Sequence, residues 1–284
     1  MTTANASPVS ENDPHADQPV PAAMKSKMIV RCQDKNGKTG FGIVQNNTVF
    51  MLAGSFEEIA RENYTLTGER AALDKVKLLV PVQPSKIINF GWTYAGHATE
   101  TGGQADLKEP FLFLKPPTSL IAHKETIQLP PRRLTTQVEL EGEVALVVKK
   151  RGKNIKPQEA GEYIFGCTVF NDVTARDLTR HDPQFTRGKG FDTFGPLGPW
   201  IVTGIDPTDL RIITTLNGTV VQNGRTSEMS LGIPFLISWI SEIMTLEPGD
   251  VLATGSPAGS CPMQTGDVVA VAVEGIGQLV NFVA

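Results

Sequence analysis

The sequence predicts an α+β protein that is mostly β, on three observations. Short β-branched runs bounded by Gly, Pro, Asn or Asp recur from Lys86 to the C-terminus. In that half of the chain, the best helix candidate is residues 234–245. No Gly-x-Gly-x-x-Gly motif and no P-loop follows a strand. Many short strands with few helices favour a barrel- or sandwich-like body over a doubly wound sheet.

The length and composition exclude several classes of protein. The chain has 284 residues, enough for one large domain or a main domain with a small appendage. Lys and Arg number 26 against 30 Asp and Glu, a net charge of −4, which disfavours a nucleic-acid-binding protein. No apolar run approaches the roughly 18 residues that span a bilayer. Cys32, Cys167 and Cys261 are widely spaced and form no Cys-x-x-Cys motif, so we expect a cytoplasmic protein without disulfides.

The N-terminal part divides into a tail and a small element. Residues 1–27 mix Pro, Ser, Asn, Asp and Ala with almost nothing large to bury, which predicts a disordered tail. Residues 28–80 predict a small α+β element. Its strands cover residues 28–31, 40–44 and 48–52, with a hairpin signal at residues 34–37. A helix over residues 55–61 begins at Ser55, and Glu58 stands at the capping-box spacing.

The body, residues 81–284, is predicted to carry the chemistry. Asn217 and Gly218 form a further hairpin signal within it. The predicted strands are residues 144–148, 164–170, 201–203, 211–216, 251–254 and 268–273.

One strand of this body carries alternating carboxylates. Glu139, Glu141 and Glu143 are two residues apart, so their side chains are expected to lie on the same face. Three like charges raise one another's pKa unless a cation or solvent lies among them. A solvated strand end explains this pattern by itself, but a second buried strand runs into Asp172 and supplies another carboxylate. Oxygen-only ligation suits Mg²⁺ or Mn²⁺, whereas zinc favours His and Cys.

His97 and Glu100 form a second candidate constellation. They are three residues apart in a segment flanked by glycines, so in a short helix or turn they share a face. A carboxylate beside an imidazole fixes its tautomer and raises its basicity, as a general base requires. A surface pair without a function is the alternative that the spacing leaves open.

At these residues the sequence resembles the fumarylacetoacetate hydrolase family over roughly residues 81–284. The segment that contains His97 and Glu100 is similar to the family's Gly-x-Asn-Tyr-x-x-His-x-x-Glu element, and residues 110–116 are similar to its Phe-x-Lys-Pro segment. Six segments follow in family order: residues 86–100, 110–116, 139–148, 171–177, 187–200 and 246–259.

The resemblance implies a β-roll or barrel body peculiar to the family, a homodimer, and one divalent metal ion, Mg²⁺ or Mn²⁺, in each subunit. It matches Glu141, Glu143 and Asp172 to the metal ligands, and Glu139 stands where the family often has Asp. The resemblance also implies catalytic and substrate-binding roles. His97 and Glu100 match a water-activating dyad, Lys189 a catalytic lysine, and Tyr94, Ser256 and Thr193 are expected to contact the substrate. Ser256 stands where Thr is usual, and Thr93 where Asn is common. We expect Arg176 to pair with Asp177 and brace the Asp172 loop.

These roles predict a hydrolase that cleaves a C–C bond in a small 1,3-dicarbonyl acid of the acylpyruvate or fumarylpyruvate type. The dyad activates water, the bond breaks, and an enolate is left on the metal, while Lys189 and Ser256 hold oxyanions or the substrate carboxylate. The same enolate also serves a decarboxylase or keto–enol isomerase acting on acids of the oxaloacetate or 2-hydroxyhepta-2,4-diene-1,7-dioate type. A catalytically inactive relative that binds a partner is the alternative from another class.

Overall fold

A computed structural model describes residues 26–103 and 108–284. The predicted tail, residues 1–27, lies outside the described residues except for its last two. The strands are β1 (Met28–Gln33), β2 (Thr39–Gln45), β3 (Thr48–Ala53), β4 (Thr65–Ala72), β5 (Lys77–Leu78), β6 (Ile87–Gly91), β7 (Phe111–Lys115), β8 (Leu120–Ile121), β9 (Thr126–Ile127), β10 (Val138–Leu140), β11 (Gly142–Val148), β12 (Ile164–Asn171), β13 (Thr174–Ala175), β14 (Gly195–Val202), β15 (Arg211–Leu216), β16 (Thr219–Arg225), β17 (Val251–Ala253), β18 (Cys261–Pro262), β19 (Val268–Val273) and β20 (Gly277–Val283). The α-helices are α1 (Phe56–Ala60), α2 (Ala95–Thr101), α3 (Arg176–Thr179), α4 (Thr186–Lys189) and α5 (Ile233–Ile243).

The largest sheet joins the N-terminal element to the body. Its strands follow the order β4-β3-β2-β1-β14-β12-β11-β17-β6-β7, with β5 paired to β1 and β8 paired to β14. β1 lies antiparallel to β2 on one side and to β14 on the other, with Ile29 opposite Ile43 and Ile201. The N-terminal strands therefore extend a sheet that the body completes.

Two smaller sheets complete the fold. One has the order β16-β15-β19-β20-β9, and the other has β13-β10-β18. Val144 of β11, Ile212 of β15 and Val271 of β19 belong to the same buried apolar cluster, so the five-stranded sheet packs against the large one. Among the described residues, the sheets are open and do not close into a barrel, so the fold is mostly β within the α+β class.

Local signals in the sequence predicted several elements correctly. Ser55 caps α1 because its side chain accepts a hydrogen bond from the Glu58 N–H. The Glu58 side chain accepts from the Ser55 N–H, which completes the capping box. Asn217 and Gly218 adopt φ angles of 53° and 81°, the left-handed values that a type I′ hairpin turn needs. α5 covers most of the helix predicted over residues 234–245.

No helix in the described ranges is both long and apolar enough to cross a lipid bilayer.

Gly166 on β12 tests how tightly the large sheet is packed. A Cβ at this position would lie 2.5 Å from the carbonyl oxygen of Val202, and backbone cannot move aside cheaply. We expect Gly166→Ala to lower the free energy of unfolding by about 1–3 kcal/mol in urea denaturation. Gly161→Ala is the control, because a Cβ there meets nothing within 4 Å. Equal losses in both variants would contradict this packing.

Candidate active site

Three buried carboxylates meet where two sheets adjoin. β10 belongs to the three-stranded sheet and β11 to the large sheet, so Glu141 lies at the junction between them. The Glu141 backbone N–H donates to Asn171 Oδ1 at 3.0 Å, and the Asp172 N–H donates to the Glu141 carbonyl oxygen at 2.8 Å. One oxygen each of Glu141, Glu143 and Asp172 lies within 4.8 Å of the others.

Glu139 lies on the same side as Glu141, as their spacing predicts, because Arg176 contacts both carboxylates, but Glu139 is not one of the three grouped oxygens. Its carboxylate accepts hydrogen bonds from Gln137 Nε2 at 2.5 Å, Arg176 Nε at 2.7 Å and Ser260 Oγ at 2.7 Å. The alternate residues Val138, Leu140, Val144 and Leu146 belong to one buried apolar cluster, so the period of two continues across the junction at Glu141 although β10 and β11 belong to different sheets.

Two buried lysines neutralise part of the acidic cluster. Lys189 Nζ, at the end of α4, lies 2.7 Å from Glu141 Oε2 and 2.5 Å from Asp172 Oδ2. Lys115 Nζ, at the end of β7, lies 2.6 Å from Asp172 Oδ1 and donates to the Val173 carbonyl at 3.0 Å. Burial lowers the pKa of Lys115 to about 8 although Asp172 opposes this. Burial also disfavours charge on Lys189, but Asp172 and Glu141 hold its pKa above the usual value.

Arg176 is part of the same network, and the prediction that it pairs with Asp177 is wrong. Its guanidinium binds both Glu139 and Glu141. Asp177 instead accepts hydrogen bonds from Thr135 and Thr136, including one of 2.8 Å from the Thr136 N–H. Arg176 begins α3, where it is 4% exposed, and a buried guanidinium needs buried anions around it.

Glu143 differs from the other carboxylates of the cluster in its partners. Among the described residues it has no ion-pair partner, and its Oε2 accepts a hydrogen bond from the Gly255 N–H at 2.8 Å. Burial and the nearby Asp172 raise the pKa of Glu143 well above the usual carboxyl value. Burial has the same tendency at Glu141, but Lys189 and Arg176 hold its pKa well below that value. A buried all-oxygen donor set of three carboxyl groups fits a hard divalent cation.

The structure places His97 and Glu100 in contact on α2. His97 Nδ1 lies 2.8 Å from Glu100 Oε1, and His97 Nε2 lies 3.6 Å from Glu141 Oε1. Glu100 also accepts from the Gly259 N–H at 2.9 Å, which anchors its carboxylate to the loop after β17. Burial tends to lower the pKa of His97, but Glu141 and Glu100 raise it to about 9. The imidazole is therefore oriented through Nδ1, with Nε2 directed toward the carboxylate cluster.

Helix α2 ends at Thr101, one residue after Glu100. Gly102 adopts φ 81°, and its N–H donates to the Ala98 carbonyl, which terminates the helix one residue after Thr101. His97 is buried, whereas the Glu100 side chain is 32% exposed. The helix thus places its imidazole inside and its carboxylate at the rim.

A small cavity of about 20 Å³ lies among these groups, which is room for about one water molecule. A larger cleft of about 570 Å³ adjoins it and shares Trp92, Arg176 and Phe185 with it. The cavity is lined by Phe90, Gly91, Trp92, His97, Phe113, Glu141, Glu143, Asp172, Arg176, Phe185, Lys189, Gly255 and Ser256.

The three residues expected to contact the substrate have different positions. Ser256 lines the cavity. Tyr94 is 3% exposed, is not part of the cavity lining, and its hydroxyl has no hydrogen-bond partner within residues 26–103 and 108–284. Burial and the charge of Glu143 raise the pKa of Tyr94. Thr193 also lies outside the lining, and its hydroxyl accepts from the Gln128 N–H at 2.8 Å. Contact of Tyr94 or Thr193 with a substrate stays a prediction.

The sequence interpretation assigned no role to Lys115, which the structure places against Asp172. A signal was present, because Lys115 ends an apolar run directly before Pro116. A lysine at the end of a buried strand needs a buried anion, and Asp172 directly follows β12, another buried strand of the same sheet. The sequence does not show that these two strand ends meet.

Comparison with known proteins identifies both parts of the chain. Residues 86–284 match the family model "Fumarylacetoacetate (FAA) hydrolase C-terminal". Residues 28–81 match the model "Rv2993c-like, N-terminal". The larger match contains the carboxylate cluster and the His97–Glu100 dyad.

Relatives and solved structures cover most of the chain. An uncharacterized protein of Archaeoglobus fulgidus is 47% identical over 228 residues, covering 80% of this chain and 90% of that protein. Oxaloacetate tautomerase YisK of Bacillus subtilis is 40% identical over 223 residues, covering 74% of each. The crystal structure of 2-hydroxyhepta-2,4-diene-1,7-dioate isomerase from Mycobacterium marinum is 36% identical with a TM-score of 0.82, covering 91% of this chain and 98% of that one.

Adding Mg²⁺ or Mn²⁺ is expected to raise the melting temperature, because an ion that binds only the folded state stabilises it. In Glu143→Gln the ion should bind at least about tenfold more weakly, because the donor set loses one negative charge. Thermal denaturation and calorimetric titration with each ion check this. Glu242→Gln, an exposed position on α5, is the control. Equal ion affinity in Glu143→Gln and Glu242→Gln would contradict the assignment of Glu143.

Without a divalent ion, Glu143 should make stability depend on pH. Its raised pKa means that the folded state binds more protons than the unfolded state, so stability falls as pH rises above the ordinary carboxyl value of 4.5. Glu143→Gln keeps this side chain neutral at every pH, so the variant does not lose stability in this way as pH rises. We therefore expect the variant's stability advantage to increase from about pH 5 to pH 8 in urea denaturation with a chelator present. A constant difference would contradict the raised pKa.

Proposed function

Because the chain belongs to the fumarylacetoacetate hydrolase family, we propose that it is a metal-dependent keto–enol tautomerase of a small 2-oxo acid of the oxaloacetate type. The observation that carries this proposal is the 3.6 Å separation between His97 Nε2 and Glu141 Oε1. Glu141 is one of the carboxylates that would hold the metal ion. A base this close to it would reach the carbon next to the keto group of a bound oxo acid, and this is the carbon at which tautomerisation moves a proton. The names of the Bacillus subtilis tautomerase and the Mycobacterium marinum isomerase support the same class of reaction.

We place the oxo acid at the donor set. Glu141, Glu143 and Asp172 would hold the ion, which we propose to be Mg²⁺ or Mn²⁺. When bound, such an ion supplies Lewis-acid polarisation of the oxygens of a 2-oxo acid. Lys189, in contact with two of these carboxylates, adds positive charge beside the substrate oxygen on which negative charge develops.

The dyad supplies the proton transfer. The neutral His97 imidazole accepts a proton at Nε2 from the carbon next to the keto group, while Glu100 holds Nδ1 and stabilises the resulting imidazolium. The oxygen takes up a proton from water to complete the enol. In the reverse direction that O–H proton returns to water, and the imidazolium returns its proton to the carbon. Glu141 and Glu100 raise the pKa of His97 to about 9, although burial opposes them, and this favours the proton-donating form.

A C–C bond hydrolase acting on acylpyruvates or fumarylpyruvate is the second candidate. The cleft of about 570 Å³ next to the small cavity favours it, because a longer acid has room there. The same dyad would then take its proton from water instead of from carbon. A decarboxylase of a β-keto acid would use the same oxygen-binding groups without needing that water.

A product panel separates these candidates. Oxaloacetate, an acylpyruvate and fumarylpyruvate are incubated with the protein and Mg²⁺, with and without a chelator. Loss of enol absorbance from oxaloacetate with no new acid and no CO₂ supports tautomerisation. A second acid identifies hydrolysis, and CO₂ identifies decarboxylation. Metal binding without turnover of any substrate would contradict an enzymatic role and favour the inactive binding protein.

Replacing the dyad should abolish turnover and leave ion binding in place. We expect His97→Gln and Glu100→Gln to lower kcat by at least about 100-fold, the usual contribution of a positioned acid–base group. His181→Gln is the control, because His181 is exposed outside the cavity lining. Enol absorbance gives kcat, and Mg²⁺ titration reports the metal site. If His97→Gln retained more than half of the activity, the assignment of the base would be wrong.

A further inference from the structure

Ser256 belongs to a closed ring of hydrogen bonds beneath the carboxylate cluster. The Gly142 N–H donates to Gln222 Oε1 at 2.9 Å. Gln222 Nε2 donates to Ser256 Oγ at 2.8 Å and to the Pro257 carbonyl at 2.7 Å. Ser256 Oγ in turn donates to the Gly142 carbonyl at 3.0 Å, which closes the ring. Gln222 comes from β16 of the five-stranded sheet, so this ring links that sheet to β11 and to the loop after β17.

The direction of every hydrogen bond in the ring follows from backbone chemistry. A backbone N–H can only donate and a carbonyl can only accept. The Gly142 N–H therefore requires the oxygen of the Gln222 amide, and the Pro257 carbonyl requires its nitrogen. The two neighbours agree, so the orientation of this amide is determined without ambiguity.

The oriented amide determines what Ser256 offers to the cavity. A serine hydroxyl has one proton and two lone pairs. The proton faces backbone carbonyls, at 3.0 Å for Gly142 and 3.4 Å for Pro257, and Gln222 Nε2 occupies one lone pair. One lone pair remains, and Ser256 lines the cavity. Ser256 can therefore accept a hydrogen bond, whereas the sequence interpretation expected it to hold an oxyanion or the substrate carboxylate.

Close packing gives the ring little freedom to rearrange. A Cβ at Gly142 would lie 2.2 Å from Thr214 Oγ1 and 3.2 Å from Gln222 Oε1. Gln222 is 1% exposed and Ser256 is 2% exposed. A rotation of the amide would leave the Gly142 N–H and the Pro257 carbonyl without partners in a buried site, which is costly.

We propose that Gln222 is a positioning residue that fixes Ser256 as a hydrogen-bond acceptor, so that this wall of the cavity takes a substrate O–H group. The inference rests on the proposed function and specifies it. The favoured ligand is the enol form of the oxo acid, whose hydroxyl donates to Ser256, rather than a form that presents a carboxylate oxygen there.

Direct binding tests this inference without turnover. Tartronate and malonate both carry two carboxylates, but only tartronate has an additional hydroxyl. Calorimetry with the Mg²⁺-loaded protein gives the ratio of the malonate Kd to the tartronate Kd. We expect this ratio to fall about fivefold in Ser256→Ala, the size of one net hydrogen bond. Ser256→Thr keeps the hydroxyl and should keep the ratio.

Gln222→Met tests the positioning role, because it retains the length of the side chain without its polar atoms. It should lower the ratio toward that of Ser256→Ala by weakening tartronate more than malonate. Gln278→Met, at an exposed amide on β20 of the same sheet, is the control. An unchanged ratio in Ser256→Ala, or equal weakening of both ligands in Gln222→Met, would overturn the proposal. If Gln222→Met does not fold, the Ser256 variants still decide the acceptor role.

Failure of the proposed function gives a different result. If the wild-type protein binds tartronate with the Ser256-dependent preference but does not interconvert oxaloacetate tautomers, the acceptor role stands and the tautomerase proposal fails. If it interconverts the tautomers and the ratio does not depend on Ser256, the reverse holds.

Discussion

The burial of four carboxylates in one place is the constraint on which the rest of this molecule depends. An ionised group in a protein interior is stable only when opposite charges and hydrogen bonds replace the lost water. Glu139 and Glu141 share Arg176, while Lys189 bridges Glu141 and Asp172, to which Lys115 also binds. Glu143 has no such cation among the described residues, and a divalent ion would stabilise its ionised form.

The backbone brings these charges together through the change of sheet at Glu141. β10 pairs with β13 and β18, whereas β11 pairs with β12 and β17. Glu139 and Glu141 share Arg176 across this junction, whereas Glu143 lies farther along β11 and accepts a hydrogen bond from the Gly255 N–H. One acidic segment thus contributes carboxylates both to the ion pairs with Arg176 and to the group that could hold a metal ion.

Two sets of hydrogen bonds fix the donor and acceptor directions of groups at the site. From α2, Glu100 orients the His97 imidazole through Nδ1, and the Gly259 N–H anchors Glu100 in turn. From the five-stranded sheet, Gln222 orients Ser256 through its amide. Groups with fixed donor and acceptor directions stabilise charge at little cost in reorganisation, because they are already aligned before the substrate arrives. Both sets of hydrogen bonds involve the loop after β17, through Gly259 for the dyad and through Ser256 for the cavity wall.

Local chemistry in the sequence was enough to determine the class of fold, the capping box of α1 and the hairpin at Asn217 and Gly218. These features depend on turn chemistry and side-chain period, which act over a few residues. Spacing offered His97, Glu100, Glu141, Glu143 and Asp172 only as candidates, and the resemblance to the family gave them roles. Only the tertiary structure gave Arg176 two glutamate partners instead of Asp177, and placed Lys115 and Gln222 beside the site. Each of these pairings joins residues far apart in the chain or crosses a change of sheet, and the sequence alone does not encode which strand ends will meet.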